Sequence, residues 1–343
     1  MKSNPKVSIL CLAYNQERFI KQTLDSFFIQ RTNFDFEVII HDDASTDNTV
    51  TIIKEYQKKY PGKIKAVFQK ENQFSKGVCN IMIKFLLPNA QGTYIALCEG
   101  DDYFTDQYKL QRQVNFLDKH PDYAVCFHPV KVFFENNKKG DFVFPKPSDH
   151  HANTIEELLK RNYIQTNSVM YRRQSYTALT KVNILPGDWY LHLYHAQFGK
   201  IGYINTIMAA YRRHSGGIWY DSSNNLSEHL QKNGISQLRM FIELLKLYGA
   251  DKKLRKIILN NINDLFNKFI RHDRKKKTLH LVEQSFNAIP ELMQIYFIEV
   301  LANQEENNSN YTELHLQRIQ KSKFYKLWRV YCNIKEHMLS MEP

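Results

Sequence analysis

Three carboxylates lie within four residues, Glu99-Gly100-Asp101-Asp102, directly after the apolar run Thr93-Tyr94-Ile95-Ala96-Leu97-Cys98. That run reads as a buried strand, so the acids emerge together at its end. Like charges crowded at the edge of a core repel one another and resist desolvation unless a cation offsets them. A divalent metal is the usual remedy, and a metal beside a nucleotide pyrophosphate is a common use of one. Taken alone, the tetrad is equally compatible with a solvated turn and an acidic helix cap.

The elements that must position these acids are legible upstream. Lys6-Val7-Ser8-Ile9-Leu10-Cys11-Leu12 is a short run of strand formers, broken by Ala13-Tyr14-Asn15. Phe19, Ile20, Thr23, Leu24, Phe27 and Phe28 recur at helical spacing and predict an amphipathic helix over residues 16–30. Phe36 to Ile40 reads as the next strand, and His41-Asp42-Asp43-Ala44-Ser45-Thr46-Asp47 as a polar loop rich in capping residues. A second helix follows through Ile52, Ile53 and Tyr56 and ends near Pro61-Gly62. Residues 63–68 predict a third strand, 77–87 a helix and 93–98 a fourth strand. Strands alternating with helices imply crossovers and a mostly parallel sheet, whose ligands bind outside the carboxyl ends of the strands. Tyr14-Asn15, Asp42-Asp43 and Glu99 to Asp102 all fall at such ends, so three distant polar loops are expected to line one crevice.

Further on, residues 123–128, 130–134, 168–171 and 201–204 read as strands, 135–151 as a loop, and 154–161 and the segment after Asp188-Trp189 as helices. Tyr211-Arg212-Arg213-His214-Ser215-Gly216-Gly217 is expected as a basic loop after the last strand. From residue 225 the texture is helical, with Leu254, Ile257, Ile258, Ile262, Leu265, Phe266 and Phe269 at three- and four-residue spacing. The expected division is therefore 1–224 and 225–343.

Composition narrows the class. Hydrophobic residues make up 43% of the 343, enough for a packed core. No apolar stretch approaches the about 20 residues of a membrane span, and the first residues lack the apolar core of a signal peptide. The five cysteines form no CxxC pair, which argues against zinc and suggests buried thiols in a reducing, cytoplasmic compartment. The net charge of +12 suits an anionic substrate, an anionic membrane surface or nucleic acid. No base-reading motif is visible, so no nucleic-acid partner is expected.

Three blocks, KVSILCLAYN (Lys6 to Asn15), EVIIHDDASTDNT (Glu37 to Thr49) and GTYIALCEGDDYFTDQYKL (Gly92 to Leu110), resemble the opening blocks of the family 2 glycosyltransferases over residues 5–220. The resemblance implies a GT-A fold: an α/β, Rossmann-like, mostly parallel sheet flanked by helices, here followed by an all-helical C-terminal region. Glu99 stands where the family usually has Asp. Gln73 to Gly77 replaces a glycine-rich loop, and Gly187-Asp188 replaces a Glu-Asp pair.

The resemblance also implies roles. Ala13, Tyr14 and Asn15 would pack against the base, Asp43 would accept from its imide nitrogen with Asp42 in support, and Glu99 and Asp101 would face ribose and metal. The bland alternative for Asp42 and Asp43 is helix capping. Asp101 and Asp102 would bind Mg²⁺ or Mn²⁺, with His214 as an extra ligand and Arg212 or Arg213 clamping phosphate oxygens. Asp188 would be the catalytic base of a single inverting displacement, its alternative being a plain N-cap. Trp189 would stack on the acceptor, or pack in the core. The expected partners are a nucleotide-diphosphate sugar, most readily a UDP-sugar, and a glycan or lipid-linked acceptor in surface polysaccharide assembly. A nucleotidyltransferase is the competing enzyme class, but the place of its phosphate loop holds Ala13-Tyr14-Asn15-Gln16-Glu17. A catalytically silent module of the same fold is the other alternative.

The tail holds 19 Lys/Arg against 13 Asp/Glu. Two clusters stand out: Arg271 with Arg274 to Lys277, and Lys321, Lys323, Lys326 and Arg329 among Phe324, Tyr325, Leu327 and Trp328. Packing on the catalytic domain, pairing with a second copy, and peripheral contact with anionic lipid on the inner face of the cytoplasmic membrane are all compatible with such helices.

Overall fold

The computed structural model describes residues 4–289 and 292, apart from 136–139, 147–152, 178, 180–182, 218–225 and 277–279. Two compact units divide after Gln284, and only Ser285 to Ile289 and Leu292 of the second are described.

A seven-stranded sheet forms the centre. It is built from β1 (Val7–Ala13), β2 (Phe36–Asp42), β3 (Ile64–Phe68), β4 (Tyr94–Leu97), β6 (Tyr123–Phe127), β9 (Met170–Arg172) and β10 (Lys200–Tyr203), with β5 (Tyr103–Phe104), β7 (Val130–Phe134) and β8 (Phe142–Phe144) lying outside it. Its order is β10-β6-β9-β4-β1-β2-β3, and β9 alone runs against the others. Val7, Ile9, Leu10 and Cys11 of β1 are fully buried, as expected of a central parallel strand covered on both faces. A four-stranded sheet, β5-β11-β7-β8, sits beside it and includes β11 (Ala209–Arg213). Tyr211 to Arg213 thus belong to a strand, where a loop was expected, and the expected loop 135–151 contains β8. These strands are too short to show alternation clearly in the sequence.

Register brings the polar loops together. Ala13 pairs with Asp42, and the amide of Asp43 donates to the Ala13 carbonyl at 3.0 Å. Beyond β4 the amides of Cys98 and Gly100 continue along β1, donating to the carbonyls of Leu10 and Leu12 at 3.0 and 2.8 Å. The ends of β1, β2 and β4 therefore form one edge.

Helix α1 (Ile20–Phe28) buries Ile20, Leu24 and Phe27 at helical spacing. α2 (Thr49–Lys59) and α3 (Lys109–Lys119) are amphipathic in the same way. The helix expected over 77–87 is reduced to a wide turn at Met82–Leu86 and a tight one at Leu87–Asn89, where Pro88 cannot continue a regular ladder. α4 (Ile155–Lys160) is capped by the Thr154 hydroxyl, which accepts from the Glu157 amide at 3.3 Å. α5 (Gly187–Ala196) carries Asp188 in its first turn.

α6 (Leu226–Tyr248) and α7 (Lys252–Lys276) pack on this unit, while α8 (His280–Ala288) spans the division. The Tyr248 hydroxyl donates to the Leu193 carbonyl, Asn261 Nδ2 donates to Leu159 O at 2.7 Å, and Lys253 pairs with Glu156 at 2.7 Å. The helical region thus braces α4 and α5. Arg271, Arg274, Lys275 and Lys276 lie on α7, whereas Lys277 and the cluster from Lys321 to Arg329 fall outside the described residues. Among the described residues no helix is long and apolar enough to cross a membrane.

Lys109, the first residue of α3, is fully buried, donates to Gln113 Oε1 at 2.7 Å and lies 4.1 Å from the Phe104 ring centre. Burial pulls its pKa from 10.5 to about 8. A base depressed on folding costs stability as pH falls from its unfolded value, and the cost is complete below its folded one. The Lys109→Met protein should therefore gain on the native protein by roughly 2–3 kcal/mol as pH is lowered from about 10 to 7. Urea unfolding of both proteins at the two pH values measures this; a pH-independent difference would contradict it.

Candidate active site

The acidic turn is held from three sides. The Gly100 backbone runs so close to β1 that a Cβ there would lie 2.2 Å from Gln16 Oε1 and 3.1 Å from the Leu12 carbonyl. From α1, the Thr23 hydroxyl reaches the carbonyls of Gly100 and Asp102 at 2.8 and 2.6 Å. From β11, the Arg212 amide donates to Asp102 Oδ1 at 2.9 Å and its Nε to the Asp101 carbonyl at 2.9 Å. The guanidinium also donates to Gln22 Oε1 at 2.6 Å and lies 4.6, 4.9 and 5.7 Å from the ring centres of Phe19, Phe133 and Tyr103. Phe19 also packs on His214, 4.6 Å between ring centres.

His214 is the partner of Asp101, with Nε2 2.9 Å from Asp101 Oδ2. Its Nδ1 accepts from the Gly216 amide at 3.3 Å, so Nε2 carries the proton and donates. Beyond His214 lies a cavity of about 230 Å³ lined by Arg18, Glu135, His214 and Ser215.

The electrostatics of the turn are adverse. Burial, then Asp101 and Asp188, push the Glu99 carboxyl up to about 8. Burial, then Asp101 and Glu99, raise Asp102 well above the usual carboxylate range, against the pull of Arg212. Tyr211 is raised too, by burial and then by Asp102 and Glu99. Among the described residues Asp101 Oδ1 and Asp102 Oδ2 are buried without a hydrogen-bond partner. An unpartnered buried carboxylate oxygen is costly and suits a hard cation. Among the described residues no three His, Cys, Asp or Glu side chains converge as a ready-made metal cage. The donor set fits an ion that takes its remaining oxygens from a ligand or water.

Asp188 lies within electrostatic reach of Glu99. Its Oδ2 accepts from Thr166 Oγ1 at 3.2 Å and Asn162 Nδ2 at 3.4 Å. Pro186, not Asp188, occupies the cap position of α5. Burial raises the Asp188 pKa, opposed by the amide of Trp189, the Thr166 hydroxyl, its own amide and Asn162.

At the other end of the crevice Ala13 is buried, and Tyr14 is 47% exposed, free to offer its ring. Asn15 adopts a left-handed conformation, φ 50°, and its Oδ1 accepts from the Thr46 amide at 2.8 Å. Asp42 accepts from the amide and hydroxyl of Ser45. Asp43 accepts from the amides of Gln73 and Phe74 at 2.8 and 3.0 Å, so it anchors the segment that replaces the expected glycine-rich loop.

Burial bears on two residues whose roles the sequence leaves open. Trp189 is 8% exposed, donates to the Leu158 carbonyl at 2.7 Å and packs edge-on against Phe241, as the core-packing alternative expects. The described contacts of Arg212 are with the turn, Gln22 and the aromatic surround. Arg213 lies near the rings of Phe134 and Tyr211. Sequence reasoning missed Thr23, Gln22, Asn162 and Thr166. The signal for Thr23 was present: a polar residue on the apolar face of an amphipathic helix.

A sequence model described as Glycosyl transferase family 2 matches residues 8–180. The chain belongs to this family and is a glycosyltransferase. The uncharacterized protein Rv1520 of Mycobacterium tuberculosis is 43% identical over 252 residues, 74% of this chain and 71% of the relative. Two solved structures share the fold. Staphylococcus aureus TarS 1-349 in complex with UDP-GlcNAc has a TM-score of 0.57 at 19% identity, covering 84% of this chain and 81% of that one. The mannosyltransferase PcManGT of Pyrobaculum calidifontis, in complex with GDP-Man and Mn2+, has a TM-score of 0.55 at 14% identity, covering 95% and 84%.

Arg212→Lys keeps the charge but loses the planar fork that reaches both Gln22 and the Asp101 carbonyl. It should destabilise the protein by about 1–3 kcal/mol. Urea unfolding checks this, and an unchanged midpoint would show that the guanidinium contacts contribute nothing.

Proposed function

We propose that this glycosyltransferase moves a sugar from a nucleotide diphosphate, most readily UDP, to a hydroxyl of a glycan or lipid-linked acceptor, with inversion and with a divalent cation. The observation that carries the reading is the crowding of Glu99, Asp101 and Asp102 opposite Asp188, with two buried carboxylate oxygens left unpartnered. The bound UDP-GlcNAc of TarS and the GDP-Man and Mn2+ of PcManGT support the donor class and the cation.

In this reading Tyr14 and Asn15 flank the base, and Asp42 and Asp43 shape its pocket through the Ser45 and Gln73 segments. The Asp43 carboxylate has lone pairs beyond those used by the two amides, so an imide N–H remains a fitting third donor. Asp101 and Asp102 would hold Mg²⁺ or Mn²⁺; His214, expected as a further ligand, has both ring nitrogens in hydrogen bonds and in this reading orients Asp101 instead. The cation would offset the charge that builds on the departing diphosphate.

Asp188 takes the proton of the acceptor hydroxyl as that oxygen forms its bond to the anomeric carbon and the sugar–phosphate bond breaks. Burial raises its pKa toward neutrality, which suits a general base. One displacement inverts the centre and needs no second carboxylate as nucleophile. Helices α6 and α7 are proposed to brace α4 and α5 of the catalytic unit, and contact of the basic residues of α7 with an anionic membrane surface belongs to the same proposal.

A panel of UDP-, GDP- and CDP-sugars, followed by nucleotide release and product analysis, tests this. At least one donor should turn over, and Asp188→Asn should retain nucleotide binding while losing about 10²–10⁴-fold in turnover. Full activity of Asp188→Asn would remove Asp188 from the chemistry, and an inert native enzyme across the panel would contradict the proposed donor class.

A further inference from the structure

Two histidines follow Asp188 on the same face of α5, His192 one turn on and His195 another, and both rings are fully buried. His192 Nε2 lies 3.2 Å from the Ile164 carbonyl, and its Nδ1 lies 2.5 Å from the Tyr171 hydroxyl. A carbonyl can only accept, so Nε2 carries the proton, and the bare Nδ1 accepts from Tyr171. Burial drives the imidazole down to about 3, which keeps the ring neutral.

The carbonyl that His192 ties down belongs to the segment that holds Asp188. Ile164 lies between Asn162 and Thr166, the two residues that donate to Asp188 Oδ2. Its amide donates to Asn162 Oδ1 at 3.1 Å, so both ends of this residue are fixed. Tyr171 is held in turn, because its ring stacks on His195 at 3.9 Å between centres and 8° between planes. His195 is fixed by the Leu191 carbonyl at 2.8 Å and the Tyr176 hydroxyl at 2.9 Å.

We propose that His192 is a positioning residue for Asp188: as the neutral Nε2–H tautomer it ties the Ile164 carbonyl and thereby keeps Asn162 and Thr166 against the carboxylate. This rests on Asp188 being the general base. It predicts that the imidazole serves turnover and not donor binding, because the nucleotide loops at the ends of β1 and β2 do not touch it.

The experiment compares His192→Gln, His192→Asn and His192→Leu with the native enzyme, using the donor that turns over in the panel above. A glutamine amide can stand where Nε2–H stood, whereas an asparagine amide stands nearer Nδ1. His192→Gln should keep kcat within about threefold, while His192→Asn and His192→Leu should lose about tenfold or more, all with donor KM within about twofold. Equal rates for Gln and Asn, or a loss expressed in KM, would overturn the proposal, and the Gln–Asn pair decides it even if the leucine variant does not fold. ¹⁵N NMR of the native protein, independent of turnover, should show His192 as the Nε2–H tautomer; a proton on Nδ1 would overturn it as well. Asp188→Asn run in parallel separates the two ideas. If it abolishes turnover while His192→Leu is normal, only the positioning role fails; if it is fully active, the base assignment fails first.

Discussion

The structure turns on the crowding of three carboxyl groups at the end of β4, Asp102 fully buried and Glu99 and Asp101 partly so. Glu99, Asp101 and Asp102 occupy a turn that α1, β1 and β11 press against the core, and two of their oxygens find no hydrogen-bond partner among the described residues. Such an arrangement is unfavourable by itself. It persists because surrounding contacts over-determine it: Thr23 on the turn carbonyls, the Arg212 backbone and guanidinium on Asp102 and Asp101, and His214 on Asp101.

From that constraint the roles of the outer elements follow. The second sheet exists at the site chiefly to deliver β11, whose Arg212 sits among Phe19, Phe133 and Tyr103 and whose end presents His214. α5 brings Asp188 to the opposite side, and α6 and α7 support α4 and α5 from behind. The site is thus a clamp between a strand end and a helix start, each stiffened by buried polar contacts.

Much of this was legible from residue order. The alternation of apolar runs with helical spacing gave the parallel strands and put Tyr14, Asp43 and Asp101 at one edge, because side chains at strand ends must emerge there. What was not legible depended on burial. An Arg beside an aromatic reads the same whether it faces a phosphate or three rings, so the sequence leaves Arg212 and Arg213 equally open as phosphate contacts. Trp189 has the same ambiguity, and its burial against Phe241 resolves it. The two- to five-residue strands β5, β8 and β11 carry too little periodicity to register. His192 and His195 carry no distinguishing signal in the sequence, since only the fold places the Ile164 carbonyl opposite one of them.

On the function proposed above, the acids at the end of β4 would hold a divalent cation against a nucleotide diphosphate. Calorimetric titration of UDP into the native protein and Asp102→Asn, each with and without Mn²⁺, tests it most directly. Mn²⁺ should raise UDP affinity by about tenfold or more in the native protein and by little in the variant, corresponding to about 1.4 kcal/mol or more of coupling. Equal UDP affinity in the native protein with and without the ion would contradict the account.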